Sequence, residues 1–295
     1  MANMTGTTMA SWLPEQWSEL ATITYRSNTV LWNLIDRRWE PEIGVGRGDT
    51  VNIPGFSQNS GATKRSTFGT GAAITFDSVT EQKVQLLVDT MAYKAFKIPA
   101  ELSVQTLPKY VDLLTNGIGQ AVALQADNDI ATDTTDGIDA MTAIGTENVD
   151  ITEDTLFTAE TVLDDLNAPA ENRHLVVSPA SKASLMKIEA FRNSLYGGAV
   201  GNLPGDRPYG LIGSVYSYDV WVSNNLADGT AAGKKNAMFH TEAIAGAMQK
   251  NITMVADVNI EDGIFNQVAG YAVYGIVLVR KAVAAEVPGR EIGGK

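Results

Sequence analysis

The stretch "GRGDTVNIPGF", Gly46 to Phe56, places a short apolar strand between two glycine-rich turns. Val51 and Ile53 alternate with polar neighbours, which is the pattern of a half-buried strand, and Pro54 is expected to end it. The "RGD" tripeptide lies where glycine and aspartate favour a turn, so we interpret it as the entry to a strand rather than as an adhesion motif. The stretch therefore predicts the root of a hairpin.

A long polar segment and a second strand pattern follow this root. "SQNSGATKRSTFGTGA" is rich in Ser, Gly and Thr and has few residues that could form a core. In "KVQLLVDTMAYKAFKI", strand spacing places four apolar residues on one face: Val84, Leu86, Val88 and Ala92. The pattern predicts a hairpin arm whose tip, with Lys64 and Arg65, gains stability only on a neighbouring surface. An ordinary hairpin with a flexible loop is the alternative that the pattern leaves open.

Four of the five tryptophans lie within the first forty residues: Trp12, Trp17, Trp32 and Trp39. The segment from Pro14 to Trp39 predicts one or two helices, because proline and Glu15 suit a first helical turn. An amphipathic helix packed on its own core is one interpretation. The density of tryptophan better fits a segment that docks on a neighbour. We therefore predict all four tryptophans, with Lys64 and Arg65, as contacts between subunits.

The strongest helix pattern begins at Ser103. "SVQTLPKYVDLLTNGIGQAVALQADNDIA" repeats apolar residues at three- and four-residue steps, which predicts a helix roughly 40 Å long. A second α/β unit is predicted from about Ile151 to Val258. It includes a helix at "EDTLFTAETVLDDLN", a buried strand at "HLVVS" and a helix capped by Ser178.

The second unit continues with one alternating strand at "SVYSYDVWVS". "AMFHTEAIAGAMQK" and "ITMVADV" are then predicted to form a strand, a short helix and a strand. After it, "VAGYAVYGIVLVRKAVAAEV" predicts a long strand that rejoins the sheet of residues 83–98.

The net charge of −12 comes from one segment. Between Tyr110 and Asn172 there are fourteen acidic residues and no lysine or arginine, which leaves 22 basic and 20 acidic residues elsewhere. We interpret "DNDIATDTTDGIDAMTAIGTENVD" as a solvated acidic connector. No basic stripe for nucleic acid is present. Charged residues make up only 19% of the chain, which indicates that other copies of it cover much of its surface.

The chain has no cysteine, which excludes disulfides and thiolate chemistry. "MANMTGTTMASW" has neither the basic nor the apolar region of a signal peptide, and no apolar run is long enough to span a bilayer. The expectation is a protein that folds in a cytoplasm, without a membrane.

The chemical motifs are incomplete. Ser184 and Lys187 form the S-x-x-K pair of β-lactamase-like enzymes, but the companion motifs are missing. "GTAAGKK" is too short for a phosphate loop, and the aspartates from Asp127 onward do not match an EF-hand. His174 and His240 lack the spacing of a zinc or catalytic site. The sequence predicts no catalytic residue, cofactor or metal.

The order of these segments resembles that of tailed-bacteriophage major capsid proteins with the Hong Kong phage-type fold. "GDTVNIPGF" is similar to the start of the family's extended loop, "HLVVSPASKASLMK" to its axial domain and "YAVYGIVLVRKAVAAEV" to its closing strand. The resemblance implies an α+β fold in five parts: an N-terminal arm at 1–45, an extended hairpin loop at 46–82, a peripheral domain with a spine helix at 83–150, an axial α/β domain at 151–260 and a return to the peripheral domain at 261–295.

The same resemblance implies a non-enzymatic shell protein that assembles in a host bacterial cytoplasm. It implies hexamers and pentamers that enclose DNA without sequence-specific binding. The expected partners are a separate scaffolding protein, because no long scaffolding segment is evident, a portal, and a decoration or cement protein. An encapsulin-type nanocompartment shell and a hydrolase using Ser184 and Lys187 are the alternatives.

Overall fold

The structure is a computed structural model. It describes residues 29–44, 48–56, 81–99, 108–146, 149–188, 191, 211–215, 218–229, 233–259, 264–280 and 284–290. Its strands are β1 Thr50–Phe56, β2 Glu81–Leu87, β3 Thr90–Pro99, β4 Thr142–Ala143, β5 Arg173–Val177, β6 Leu211–Val215, β7 Tyr218–Val222, β8 Gly233–His240, β9 Ile244–Asn259, β10 Phe265–Leu278 and β11 Ala284–Arg290. Its α-helices are α1 Pro108–Thr132, α2 Glu153–Asp165 and α3 Pro179–Leu185.

The described strands form three sheets, and together with the helices they make the predicted α+β fold. β1 and β2 form a hairpin, β3-β10-β9 form a three-stranded antiparallel sheet, and β4-β11-β8-β5-β7-β6 form a mixed six-stranded sheet. No helix within the described ranges is both long and apolar enough to cross a bilayer.

The root of the predicted hairpin arm is confirmed. β1 and β2 are antiparallel from Thr50 opposite Leu87 to Phe56 opposite Glu81. The expectation that Pro54 ends the strand is wrong, because β1 continues through it to Phe56. Among the described strands β1 pairs with β2 alone, so the missing N–H of proline can lie on the side without a described partner, with no loss of a ladder bond. The tip that carries Lys64 and Arg65 lies outside the described residues.

The three-stranded sheet packs against the predicted spine helix, α1. Gly270 of β10 lies so close to the helix that a Cβ there would collide with Ile118. Further along, Ala92, Ala272 and Val122 share one buried cluster. The small residues on the sheet let the helix approach its strands closely. β10 pairs with β3 from Phe265 to Tyr274, as predicted for the strand that rejoins residues 83–98.

Two segments join sheets that differ from the predicted division of the chain. Residues 244–259, predicted within the axial unit, form β9 and pair with β10 in the three-stranded sheet. Residues 284–290, predicted to return to the peripheral sheet, form β11 and lie between β4 and β8 in the six-stranded sheet. The domain boundaries themselves stay a prediction.

The six-stranded sheet and its helices carry the larger core. Thr152 caps α2 in a capping box, and Ser178 caps α3, as predicted. The buried Asn236 of β8 accepts a hydrogen bond from the backbone N–H of Ser178 at 2.7 Å, which fixes the start of α3 on the sheet. "SVYSYDVWVS" forms two strands, β6 and β7, rather than the single one predicted, because β6 turns back on β7 in antiparallel pairing.

The predicted N-terminal helix is wrong over the described residues 29–44. This segment contains only 3₁₀ turns at Leu31–Asn33 and Glu40–Glu42. The carboxylate of Asp127, on α1, accepts the backbone N–H groups of Val30 and Trp32 at 3.3 and 3.0 Å. Asp127 thereby satisfies these backbone donors from outside the segment and anchors it to α1.

Candidate assembly surface

The three-stranded sheet has one face against α1 and one face that points away from it. Because side chains alternate along a strand, Ala92 and Ala272 face the helix while their neighbours Met91, Tyr93 and Tyr271 face away. Val255 pairs with Ala269 and shares this second face. We call the surface formed by Met91, Tyr93, Val255 and Tyr271 the outer face.

The hairpin root covers only one half of this side of the sheet. Leu86 and Val88 pack there with Ile43, Ala247 and Val277 in a buried cluster. The backbone approaches so closely that a Cβ at Gly275 would collide with the carbonyl oxygen of Leu87. Among the described residues the cover ends beyond the root, and the outer face lies in the half of the sheet that these residues leave exposed.

Large apolar side chains of the outer face are exposed. Tyr93 is 71% exposed, Met91 55% and Val255 48%. Exposed apolar residues are ordinary when they stand alone, but a contiguous group on a rigid sheet marks a surface that another molecule covers. Near the tip of the β9–β10 hairpin Val258 and Ile264 are also exposed, but Val258 pairs with Asn266 and belongs to the helix-side face.

Lysines flank this apolar group. The Lys250 amine lies 5.1 Å from the Tyr271 ring centre, and the Lys97 amine lies 4.2 Å from that of Phe265. Such contacts hold the ammonium groups beside the apolar side chains. The outer face can therefore bury aromatic area and meet carboxylates at its edge, which is the composition of a protein interface.

Two of the four predicted contact tryptophans lie in the described part. Trp32 packs edge-on against Tyr274 with ring centres 5.6 Å apart, and Trp39 packs against the cluster that contains Ile43. Both are partly buried within their own subunit. Trp12 and Trp17, like Lys64 and Arg65, lie outside the described residues. A role for these six residues between subunits stays a prediction.

The S-x-x-K residues do not form a nucleophile and base pair. Ser184 is buried, and its described bond to Lys187 runs between backbone atoms. The Lys187 amine is exposed and lies 2.7 Å from the Asp150 carboxylate. Among the described residues, no group of three or more His, Cys, Asp or Glu side chains is placed to hold a metal ion.

The interpretation of residues 127–150 as a solvated acidic connector is wrong for three of its aspartates, which have partners inside the fold. Asp127 is fully buried on α1, and burial raises the pKa of its carboxyl. Asp129 accepts a hydrogen bond from the Tyr274 hydroxyl, which together with burial raises the pKa of Tyr274. Asp139 pairs with Lys235. Asp127 therefore connects the spine helix to residues 30–32, Asp129 connects it to β10, and Asp139 connects the 3₁₀ turn Ile138–Ala140 to β8, so all three act within the fold.

The sequence reasoning missed the outer face. "MAYKAFKI" carries apolar residues on both faces of one strand, and only the face with Ala92 was assigned to a core. A strand that is apolar on both faces must be covered on both. That rule, applied to Met91 and Tyr93, would have found the surface.

No protein-family model and no curated protein sequence matches the chain. Solved structures do match. One, from Mycobacterium phage Che8, is 22% identical with a TM-score of 0.71, and the match covers 94% of this chain and 97% of that one. The chain has the fold of phage capsid subunits.

Two further structures match this capsid fold over almost their whole length. The capsid of the cyanophage P-SCSP1u is 16% identical with a TM-score of 0.69, covering 98% of this chain and 96% of that one. The capsid of a native GTA particle is 13% identical with a TM-score of 0.70, covering 97% and 99%. The Hong Kong phage-type capsid fold predicted from the order of segments is thereby confirmed.

Proposed function

We propose that the protein is the major capsid protein of a tailed bacteriophage and assembles through hexamers and pentamers into an icosahedral shell around double-stranded DNA. The observation that carries the proposal is the match to phage capsid structures over more than nine tenths of both chains. A match of that coverage includes the three-stranded sheet, the six-stranded sheet and the spine helix. It therefore concerns the whole subunit rather than a common substructure.

The exposed outer face supports self-assembly independently. A rigid sheet with Tyr93, Met91 and Val255 exposed gains free energy when it is covered, about 25 cal/mol for each Å² of apolar surface removed from water. A second copy of this chain is the occupant we propose, because capsid subunits of this fold are covered by one another. Its acidic segment from residue 110 to 172 offers the carboxylates that Lys97 and Lys250 can meet.

The proposed partners follow from the same function. Assembly would use a separate scaffolding protein and a portal, a decoration or cement protein could bind the finished shell, and the packaged DNA would be enclosed without sequence-specific binding. The subunits would assemble in the host bacterial cytoplasm and end in the virion. We propose no catalytic role, since Ser184 is buried and the amine of Lys187 pairs with Asp150.

Assembly is tested by expressing the protein and examining it by sedimentation and electron microscopy at micromolar concentration. We expect capsomers or closed shells. A sharp, compact monomer peak that does not depend on concentration would contradict the proposal. Nuclease treatment and sequencing of the contents of particles from infected cells separates the phage capsid, with genome-length DNA, from an encapsulin-type shell with an enzyme inside.

The hairpin arm gives a second test. Removing Ser57 to Gly71 and closing the gap with a short turn leaves the paired root from Thr50 to Leu87 in place. The subunit should keep the circular dichroism and unfolding profile of the wild type, because few apolar groups are lost, while shell formation fails. Intact shells from the deletion variant would disprove the role of the arm.

A further inference from the structure

A short turn joins β8 to β9 and thereby connects the six-stranded sheet to the three-stranded sheet. β8 ends at His240 in the six-stranded sheet, and β9 begins at Ile244 in the three-stranded sheet. Between them lies one 3₁₀ turn, Thr241–Ala243. The carbonyl of Ala243 also accepts the N–H groups of Val279 and Arg280, at 2.9 and 3.2 Å, where β10 ends. The geometry of this turn thus fixes where the chain passes from one sheet to the other in both directions.

His240 caps the turn. Its Nδ1 accepts the backbone N–H of Glu242 at 3.1 Å. A ring nitrogen accepts a hydrogen bond only when it carries no proton, so the cap requires the neutral imidazole. The other side of the ring is directed to the backbone of Glu171, which precedes β5. Both sides of the neutral ring are therefore engaged.

His174, the only other histidine in the chain, holds the same turn from the neighbouring strand β5. Its Nδ1 accepts the indole N–H of Trp221 at 3.3 Å, and its Nε2 lies 3.0 Å from the hydroxyl of Thr241. That hydroxyl donates to the carbonyl of Asn172 at 3.3 Å, so Nε2 must be the donor in its contact with Thr241. These partners assign the neutral ring, with its proton on Nε2.

We propose that the two histidines form an acid-sensitive clasp on this turn, which neutral rings hold closed and proton uptake releases. A proton added to either ring goes to Nδ1. There it turns an acceptor into a donor that points at another donor, the N–H of Glu242 for His240 and the indole N–H of Trp221 for His174. The expected result is opening of the joint between the sheets without loss of either core. The inference holds whether or not the protein forms the proposed shell.

Burial sets the direction of the pH effect, and the charges around the two rings modify it. His174 faces Asp219 of β7 and His240 of β8, while His240 faces Glu242, Arg173 and Arg280. Arg38 lies on the far side of Glu242 and pairs with it. Burial is the main influence and lowers the pKa of both histidines, and the nearby carboxylates oppose it only in part.

The sign of the pH dependence follows from these lowered values. In the unfolded chain a histidine has a pKa of about 6.5. Above that pH both states are neutral and the clasp contributes fully. As the pH falls below it, the opened form takes up protons first, and the contribution is lost progressively down to the folded pKa. The opening equilibrium should then shift by up to about tenfold per pH unit for each proton bound.

Hydrogen–deuterium exchange of the full-length protein from pH 7.5 to 4.5, corrected for intrinsic exchange rates, tests the clasp. Peptides covering residues 238–246 should lose protection as the pH falls, while peptides from β5 keep theirs. In His240→Asn the loss should shrink, because asparagine caps a turn with an oxygen that does not titrate. Combined with His174→Gln, the loss should disappear. Asp219→Asn is the matched control, since it removes a nearby carboxylate and keeps both histidines, and it should retain the acid response.

An equal acid response in the double variant and the wild type would overturn the proposal, as would a wild-type joint whose protection does not change with pH. The wild type gives a second test if a variant fails to fold. Exchange of the ring C2 hydrogens, followed by mass spectrometry, reports the pKa of each histidine separately. Both values should lie below about 6.5, and two values at or above it would overturn the clasp.

Discussion

The two large sheets of this protein differ in how completely they are covered. In β5 of the six-stranded sheet, the consecutive residues Leu175, Val176 and Val177 are all fully buried, so both faces lie inside the fold. In β3 of the three-stranded sheet, Ala92 is buried while its neighbours Met91 and Tyr93 are more than half exposed. At this strand the first sheet has buried side chains on both faces within a single subunit. The three-stranded sheet buries one face against its own helix, whereas its other face has exposed apolar side chains at Met91 and Tyr93.

Because of this difference in burial, mutations in the two sheets should affect different properties of the protein. Changes in the six-stranded sheet should reduce the stability of the subunit and affect assembly only as a consequence. Changes on the outer face should leave the subunit stable and act on assembly directly.

Phe239→Ala should destabilise the subunit most. Phe239 is fully buried in β8, and truncating a buried phenylalanine costs about 3–5 kcal/mol in the free energy of unfolding. Urea unfolding followed by circular dichroism measures it. Phe96→Ala is the matched control, because the same change at a side chain 36% exposed on β3 should cost about 1 kcal/mol or less. Similar costs at the two positions would mean that the sheets do not differ in burial as described.

Asp127→Ala should cost roughly 2–4 kcal/mol, because the N–H groups of Val30 and Trp32 lose their acceptor in a buried site. Asp127→Asn keeps one oxygen acceptor but places an NH₂ donor opposite another N–H donor, because Oδ1 accepts from Trp32 and Oδ2 accepts from Val30 and Asn225. Its cost should therefore be smaller than that of alanine but clearly above zero. Thermal unfolding at pH 7 compares the two variants. An asparagine variant as stable as the wild type would contradict the requirement for two oxygen acceptors.

Tyr93→Ser combined with Val255→Ser should change the free energy of unfolding by only about 0.5 kcal/mol per site, as expected of exposed positions, and still abolish or greatly slow assembly. Leu166→Ser is the control, since Leu166 is 45% exposed at the end of α2 beside the six-stranded sheet. Light scattering and electron microscopy report assembly. An equal defect from Leu166→Ser would remove the distinction between the two regions.

The smallest effect is expected from salt. At about 0.01 M salt the Debye length is about 30 Å and repulsion between subunits of net charge −12 is felt, whereas at about 0.1 M it falls to about 10 Å. Assembly should therefore be slower at the lower salt. Lys64→Glu with Arg65→Glu should slow it further, mostly at low salt. Assembly that is fastest at the lowest salt, or a variant effect equal at every ionic strength, would contradict this view.

The structure also limits the size of that salt effect. Asp139, Asp150 and Asp164 pair with Lys235, Lys187 and Arg173 of the same chain. Carboxylates of the acidic segment that are engaged within the subunit contribute less to contacts across a boundary. Exposed pairs such as that of Lys187 are also weak, at about 0–1 kcal/mol. Apolar burial on the outer face should dominate assembly once repulsion is screened.

The sequence predicted the elements whose pattern is local. The apolar steps of α1, the serine and proline that begin α3, and the alternation of β1 each carry their structure in neighbouring residues. Prediction from the sequence failed where a residue distant in the chain determines the local structure. Residues 30–32 are held in place by a carboxylate 95 or more positions away, which accepts the N–H groups of Val30 and Trp32. No periodicity within that segment could indicate it.

The candidate surface illustrates the same limit. Four tryptophans and two basic residues were predicted as contacts from composition, and the two tryptophans in the described part pack within their own subunit. The outer face was present in the sequence as a strand apolar on both sides. Which of those sides stays open depends on where the hairpin root and α1 pack, and that is a property of the assembled fold.

The position of β11 has a consequence for synthesis. Residues 284–290 lie between β4 and β8, strands made from residues 142–143 and 233–240. During translation the six-stranded sheet therefore has a gap between β4 and β8 until residues 284–290 have been made and have left the ribosome. A chain that stops before these residues should leave one edge of β8 without its partner strand, and an unpaired edge can pair with other chains. Completion of this sheet is thus linked to synthesis of a segment more than forty residues after β8.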